Sequence, residues 1–558
     1  MRIVVVGGVA GGMSAAARAR RLDETAEIVV LERGPYVSFA NCGLPYYVGG
    51  EITDPGALQV QTPESLRAAL ALDVRTGHDV IGVDPVARTV TVSTADGVDE
   101  LGYDALVLSP GAKAVRPPIP GLDSPRVSTL RTVDEALMMR ARVTGGAGRA
   151  VVLGAGFIGV EAAEALAKAG LTVTLVELAP HVLPPLEEEL AFYATHALAR
   201  LGIDVRAGVA ATEIEHGAER DVVVLGDGSR LEADLVVLSV GVRPDTEVFE
   251  RAGVACERGA IVVDEHGRTS QPGIWAVGDA VVSVDAVTHV LRPVPLAGPA
   301  NRAGRFVADD ILRPATARPI PPTTGTAIVR VGDLTAAMTG ANRAALDAAG
   351  IDYRTLHLHP GQHASYFPGT STLHLVVHIA PADGRVLGAQ VVGEDGADKR
   401  IDVLSTAIRA GMTVDDLVDL DLAYAPPYGS AKDPVTMTGF VGQNVVDGTL
   451  RLWYPDDIEQ VVTEALVLDV RTAGEFARGH LNGALNVPHT ELRERIGEVR
   501  EAAAGRPVRV MCHSGWRSYL AHRILVAQGF DSASLSGGME TLAAALQMRA
   551  AAPQPARA

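Results

Sequence analysis

The chain has 558 residues, 47% of them hydrophobic, and a formal net charge of −18 at pH 7. That length predicts three or four domains, and the apolar content is ample for several cores, although no uninterrupted apolar run is long enough to span a bilayer. The acidic balance excludes nucleic acid or an anionic membrane surface as the partner, so any anionic ligand must be met by a local cluster of cations. Three scattered cysteines, Cys42, Cys256 and Cys512, are too few for a disulfide framework and suit reactive thiols in a reducing cytoplasm.

Met1-Arg2-Ile3-Val4-Val5-Val6 runs straight into a glycine turn without a small-residue cleavage site, which reads as a first strand and not as a signal peptide. Strand 3–6, the loop Gly7-Gly8-Val9-Ala10-Gly11-Gly12, an alanine-rich helix ending near Leu22, strand 28–31 and Glu32 follow in dinucleotide-binding βαβ order. In that layout Gly7, Gly11 and Gly12 let the backbone approach a pyrophosphate, the helix N-terminus faces its charge, and the acid takes a ribose hydroxyl. Val9 stands where the middle glycine is usual. A cleaner copy runs from strand 151–153 through Gly154, Gly156 and Gly159 to a helix ending at Gly170, strand 172–176 and Glu177. A carboxylate at Glu177 accepts a 2′-hydroxyl and repels a 2′-phosphate, which predicts NADH over NADPH.

Between the two copies lies Ser38-Phe39-Ala40-Asn41-Cys42-Gly43-Leu44-Pro45-Tyr46-Tyr47. Further along come Leu108-Ser109-Pro110-Gly111-Ala112, Val240-Gly241-Val242-Arg243-Pro244-Asp245 and Ile274-Trp275-Ala276-Val277-Gly278-Asp279. With two nucleotide units about 145 residues apart, these stretches resemble the pyridine-nucleotide disulfide oxidoreductase family. The resemblance implies FAD on the first unit, NAD(P)H on the second, Asp279 on the flavin ribityl chain, and a third domain that forms a homodimer interface. Adding Ala364-Ser365-Tyr366-Phe367-Pro368-Gly369, Ala423-Tyr424-Ala425-Pro426-Pro427-Tyr428 and Lys432-Asp433, residues 1 to about 445 are similar to coenzyme A-disulfide reductases and their persulfide-reducing relatives. Gly393 to Asp402 also matches, although the start of a helix explains that segment better.

Flavin enzymes with an internal disulfide place two cysteines five positions apart, but five on from Cys42 is Tyr47. A lone redox sulfur must then cycle through a sulfenic acid or through a mixed disulfide or persulfide with a small thiol. The related oxygen- and peroxide-reducing flavoproteins carry a histidine in the first glycine loop where this chain has Ala10, which favours the mixed-disulfide route over NADH oxidase or peroxidase chemistry. Ser14, Arg18 and Arg21 recur at i, i+4 and i+7, so they share a helical face able to clamp coenzyme A phosphates or simply to face solvent. The resemblance makes these three, with Ser38, Asn41 and Lys432, substrate contacts. It makes Tyr366 and Tyr424 a proton-donating pair that reaches Cys42 of the partner subunit.

After Gly448 a new pattern starts: a strand at 465–468, Asp469-Val470-Arg471, Glu475, His480, then strand 508–511 and Cys512-His513-Ser514-Gly515-Trp516-Arg517-Ser518. This resembles a single rhodanese domain. A strand-end cysteine in a loop that turns into a helix has backbone N–H groups and Arg517 available to hold a thiolate or persulfide. Asp469, Arg471, Glu475 and His480 read as fold-holding partners, and Cys256 as a bystander. His357, His359 and His363 lack an acid or cysteine at ligand spacing, so no metal site is expected.

The expected fold is α/β: two Rossmann-like FAD and NAD(P)H domains, an α+β dimerisation domain and a C-terminal α/β rhodanese domain. The expected bounds are 1–115 with 246–321 for FAD, 116–245 for NADH, 322–446 for dimerisation, 455–548 for rhodanese and 549–558 for a disordered tail. The expected activity is NAD(P)H-dependent reduction of coenzyme A disulfide, coenzyme A persulfide or polysulfide, with sulfurtransferase as the alternative main activity.

Overall fold

The computed structural model describes residues 1–551 and divides into two compact units, 1–178 with 201–325, and 179–200 with the chain from 326 onward. In the first unit, strands Arg2–Val6, Glu27–Glu32, Asp73–Thr76, Ala105–Leu108 and Ile274–Ala276 form one parallel sheet, with Arg2–Val6 in the middle. Arg149–Leu153 is the middle strand of a second parallel sheet with Thr172–Glu177, Asp204–Ala207, Leu235–Leu238 and Val127–Ser128. Both central strands are apolar runs buried along almost their whole length, as expected of parallel strands covered on both faces. Each sheet has a three-stranded antiparallel companion, and Ala112–Ala114 pairs antiparallel with Val242–Pro244 where the chain crosses between the halves. The strand Ile274–Ala276 thus carries the chain back to the first sheet and delivers Asp279 beside the first glycine loop.

The first helix, Ala10–Leu22, is alanine-rich because it is crossed closely by the helix Ala297–Leu312: a Cβ on Gly304 would lie 2.2 Å from the Gly11 carbonyl oxygen. Side chains without bulk are required at that crossing.

In the second unit, strands Ala327–Val331, Leu334–Gly340, Val386–Gly393, His374–Ile379 and Arg354–Leu358 form an antiparallel sheet in that order. A separate parallel sheet follows the order Leu452–Trp453, Ser532–Leu535, Val508–Met511, Leu466–Asp469, Leu485–Asn486. The helix Glu188–Arg200, expected from its chain position in the nucleotide-binding half, packs instead in this second unit against the antiparallel sheet and the last helix, Gly538–Ala551. Its buried acids explain the choice. The Glu189 carboxylate pairs with Arg343 and, at 2.6 Å, with His357, and Glu187, just ahead of the helix, reaches His378 at 3.0 Å. Burial opposes ionisation of Glu189, but the His357 hydrogen bond and Arg343 outweigh it and hold the carboxyl well below the usual range.

His357 and His359 share a face, as the alternation predicts, and that face docks the C-terminal sheet. His357 Nδ1 bonds Ser536 Oγ at 2.7 Å, and His359 Nε2 bonds Thr541 Oγ1 at 2.8 Å. The expected tail begins inside the last helix, which holds residues 549–551; the rest of it lies outside the described residues. No helix among the described residues is long and apolar enough to cross a membrane.

His374 stacks on Tyr193 and hydrogen-bonds His359 at 2.9 Å, and burial pushes its pKa from 6.5 down to about 4. Once unfolded, the imidazole binds its proton first, so this stability is complete above pH 6.5 and is lost as pH falls toward 4. At about 1.4 kcal/mol per pKa unit the loss at His374 is of order 3 kcal/mol. His374→Gln is expected to flatten the fall in melting temperature across that range; an unchanged slope would refute the account.

Candidate active sites

Gly7 has φ +97°, and a Cβ there would lie 2.0 Å from the Ser109 carbonyl oxygen; one on Gly12 would lie equally close to the Gly7 carbonyl. Only glycine closes this turn. Gly154 and Gly159 repeat the arrangement, while nothing lies within 4 Å of a Cβ built on Gly156, which leaves the backbone open to a ligand. The helices that follow, Ala10–Leu22 and Phe157–Lys168, have neither a side-chain N-cap nor an acid in the first turn, so their N-terminal N–H groups remain available to phosphate. Glu32 accepts from Gly8 N–H at 2.8 Å, and Glu177 from Ala155 N–H at 2.6 Å, which sets each carboxylate against its glycine loop.

A cavity of about 1380 Å³ runs from this first loop, and its lining includes Gly7, Gly11, Glu32, Asp279 and Cys42. A dinucleotide fits it: phosphate-accepting backbone, an acid at the ribose position and a long apolar-walled channel are all present. Ser14, Arg18, Arg21, Ser38 and Asn41 line the same cavity, so the structure brings together every first-unit residue predicted to touch substrate. Ser38 is held at φ +46°, a left-handed conformation uncommon for serine and found at ligand-contacting turns.

Two features of this cavity were illegible beforehand. Arg18 is not a free cation: Asp309 pairs with it at 2.6 Å, and Ser14 donates to Asn301 Oδ1 at 2.6 Å. Arg21 and Arg305, the latter on the helix Ala297–Leu312, line the cavity without an ion pair among the described residues. Arg131 also lines the cavity, and burial lowers its pKa while Asp279 favours its charge; burial in turn raises Asp279.

Cys42 occupies the short turn Asn41–Gly43 ahead of the helix Leu44–Gly49 and is exposed to the cavity. Burial of the sulfur pushes its pKa up, and the carboxylates of Glu161 and Asp279 push it further. Tyr47, five residues on, is buried in the core, and all three cysteines of the chain are free.

In the second unit, the hydroxyls of Tyr366 and Tyr424 hydrogen-bond at 2.9 Å although both side chains are 73% and 48% exposed. That bond raises the Tyr366 pKa. Lys432 is exposed; its neighbour Asp433 is buried, caps the helix Pro434–Val446 and holds Arg400 at 2.7 Å. Arg400 belongs to the helix Ala397–Ala410, so the 393–402 segment anchors the loop that carries Lys432.

Cys512 is buried at the end of the strand Val508–Met511. Gly515 N–H donates to its sulfur at 3.2 Å, and the thiol donates to Ser518 Oγ at 3.3 Å, with Ser534 donating to the same hydroxyl at 2.9 Å. Arg517 is clamped by both oxygens of Glu475 at 2.8 and 2.7 Å, a fork that raises the arginine pKa and holds the acid below the usual carboxylate range. Asp469 and Arg471, both buried, pair at 2.6 Å.

Residues 1–298 match the pyridine nucleotide-disulphide oxidoreductase family, residues 326–434 its dimerisation domain, and residues 454–545 the rhodanese-like domain. The chain belongs to the pyridine nucleotide-disulphide oxidoreductase family. Members of that family work with FAD and NAD(P)H. The chain is 33% identical over 448 residues to the coenzyme A disulfide reductase of Staphylococcus haemolyticus, covering 80% of this chain and 100% of that one. The reduced CoADR-RHD of Bacillus anthracis superposes with a TM-score of 0.95 at 40% identity over 98% of both chains. An NAD-dependent persulfide reductase from A. fulgidus gives 0.90 at 37% identity, over 97% of this chain and 100% of that one.

Since two carboxylates hold the Cys42 thiol above its ordinary pKa, Glu161→Gln is expected to lower that pKa and to raise the rate of iodoacetamide alkylation at pH 7 severalfold. A pH profile of alkylation at Cys42 displaced upward in the variant would contradict the electrostatic assignment.

Proposed function

We propose that the protein is a homodimeric, NADH-dependent reductase of coenzyme A disulfide, coenzyme A persulfide or polysulfide that works through Cys42, with Cys512 as a sulfurtransferase centre. The observation that carries this reading is that Cys42 lines the same cavity as Gly7, Gly11, Glu32 and Asp279 while its fifth neighbour is Tyr47. FAD bound along that cavity would supply Cys42 with electron pairs taken from NADH held at Gly154, Gly156, Gly159 and Glu177.

The chain's own residues then do the following. Arg21 and Arg305 meet the phosphates of coenzyme A, Ser14 and Asn301 contribute hydrogen bonds, and Ser38 and Asn41 position the pantetheine thiol end near Cys42. The Cys42 thiolate attacks a substrate sulfur, forming a mixed disulfide and expelling a thiolate, or a hydrosulfide where the substrate is a persulfide. Tyr366 and Tyr424, hydrogen-bonded to each other, serve Cys42 of the partner subunit by protonating the expelled sulfur, a transfer that runs downhill from phenol only once the thiolate is desolvated. Lys432 adds a cation to that approach. Ala10 lines the cavity without a proton donor at its position, which favours sulfur over peroxide as the oxidant.

A sulfurtransferase reading is favoured in parallel by the Gly515 N–H aimed at the Cys512 sulfur. The two centres separate by mutation. Cys42→Ser is expected to abolish anaerobic NADH oxidation by coenzyme A disulfide while thiocyanate formation from thiosulfate and cyanide persists, and Cys512→Ser to do the reverse. Tyr366→Phe with Tyr424→Phe should lower the disulfide-dependent turnover by about 10²-fold. NADH oxidation that survives Cys42→Ser at the wild-type rate with every sulfur substrate would overturn the proposal.

A further inference from the structure

The helix Trp516–Ala527 leaves the Cys512 loop with an exposed stripe that neither reaction above employs. Trp516, Leu520, Ile524 and Ala527 recur at i, i+4, i+8 and i+11, so they lie on one face, and Trp516 and Leu520 are 64% and 37% exposed. Arg523, at i+7, joins the same face. A cavity of about 500 Å³ lies along it, with His489, Arg493 and Ile496 as the opposite wall. His489 meets Trp516 edge-on with ring centroids 6.1 Å apart, so that wall abuts the residue that opens the helix directly after the cysteine loop.

The charges of this cavity are unusual for a chain of net charge −18. Arg493 makes no ion pair among the described residues, although nearby Arg495 is paired with both Glu491 and Glu498. Arg523 donates to the Thr449 carbonyl at 2.9 Å and likewise has no acid partner. Two guanidiniums without an acid partner among the described residues, in a groove walled also by Ile496, Leu520 and Ile524 on the helix that starts from the Cys512 loop, fit a ligand with an anionic head, an extended neutral arm and a terminal thiol.

We infer that this groove is the coenzyme A acceptor site of the sulfurtransferase centre, separate from the cavity at Cys42; the inference rests on coenzyme A being the sulfur carrier. Arg493 and Arg523 hold the phosphates, and the pantetheine arm follows Leu520 and Trp516 toward Cys512, the seven residues from 523 to 516 spanning about 10 Å of helix. The coenzyme A thiolate attacks the outer sulfur of the Cys512 persulfide. The bond from that sulfur to Sγ breaks, its electron pair returning to Sγ as thiolate, and the sulfane sulfur leaves with any proton it carries as coenzyme A persulfide. No electrons are gained or lost overall.

The test uses the full-length holoenzyme, thiosulfate as sulfane-sulfur donor, and either coenzyme A or pantetheine, which has the same thiol without the phosphates, as acceptor. Wild type is expected to show kcat/KM for coenzyme A about tenfold or more above that for pantetheine, through KM. Arg493→Ala with Arg523→Gln should bring the ratio near one, and Arg493→Lys should retain most of it. Because the ratio is internal to each protein, partial loss of folded enzyme cancels. Equal KM values in wild type, or a ratio unchanged in the double variant, overturn the inference. Parallel NADH oxidation with coenzyme A disulfide separates the failures: if that reaction proceeds while the acceptors are equal, only the groove is wrong; if it is absent, the parent reading is wrong.

Discussion

On the mixed-disulfide route a redox cysteine needs a second sulfur to share its oxidised state, and the fold gives Cys42 none. The position that would carry the partner is Tyr47, buried in the core, and the chain's other cysteines are free. The consequence reaches through the molecule. With no internal disulfide to form, the substrate must supply the second sulfur, so the cavity has to admit a thiol compound as well as a nucleotide. Its volume and its cation-bearing wall on two crossed helices meet that requirement.

The electrostatics at Cys42 follow the same logic. Burial and two carboxylates hold the thiol protonated, which protects a lone reactive sulfur from casual oxidation, since reactivity tracks the thiolate. On the cavity wall Arg21 and Arg305 have no acid partner among the described residues, and Arg18 is neutralised by Asp309. Cys512 is treated differently: a backbone N–H points at the sulfur, and Arg517 is fixed in place by Glu475. Burial and nearby carboxylates thus favour the thiol form of Cys42, while the Cys512 sulfur has a backbone donor fixed against it.

Local patterns were readable because they are written in short stretches. Both glycine loops, their terminal acids, the turn at Cys42 and the loop at Cys512 all lie where strand, turn and helix signals place them. What escaped is long-range pairing. Ser14 and Asn301 are 287 positions apart, and no spacing rule connects them. The helix Glu188–Arg200 has an ordinary amphipathic pattern, and only the histidines of a distant sheet reveal that its acids belong in the second unit. Arg131 precedes a capping box at Thr132 and Glu135, so its sequence context speaks of a helix start and conceals its place on the cavity wall.

The most direct test of the lone-sulfur account is the intact mass of the protein after anaerobic treatment with stoichiometric coenzyme A disulfide, before and after addition of NADH. The account predicts one coenzyme A thiol attached to each chain, mapped by peptide digestion to Cys42 and released by NADH. A protein that oxidises without any adduct, or that forms a disulfide between two of its own cysteines, would contradict it.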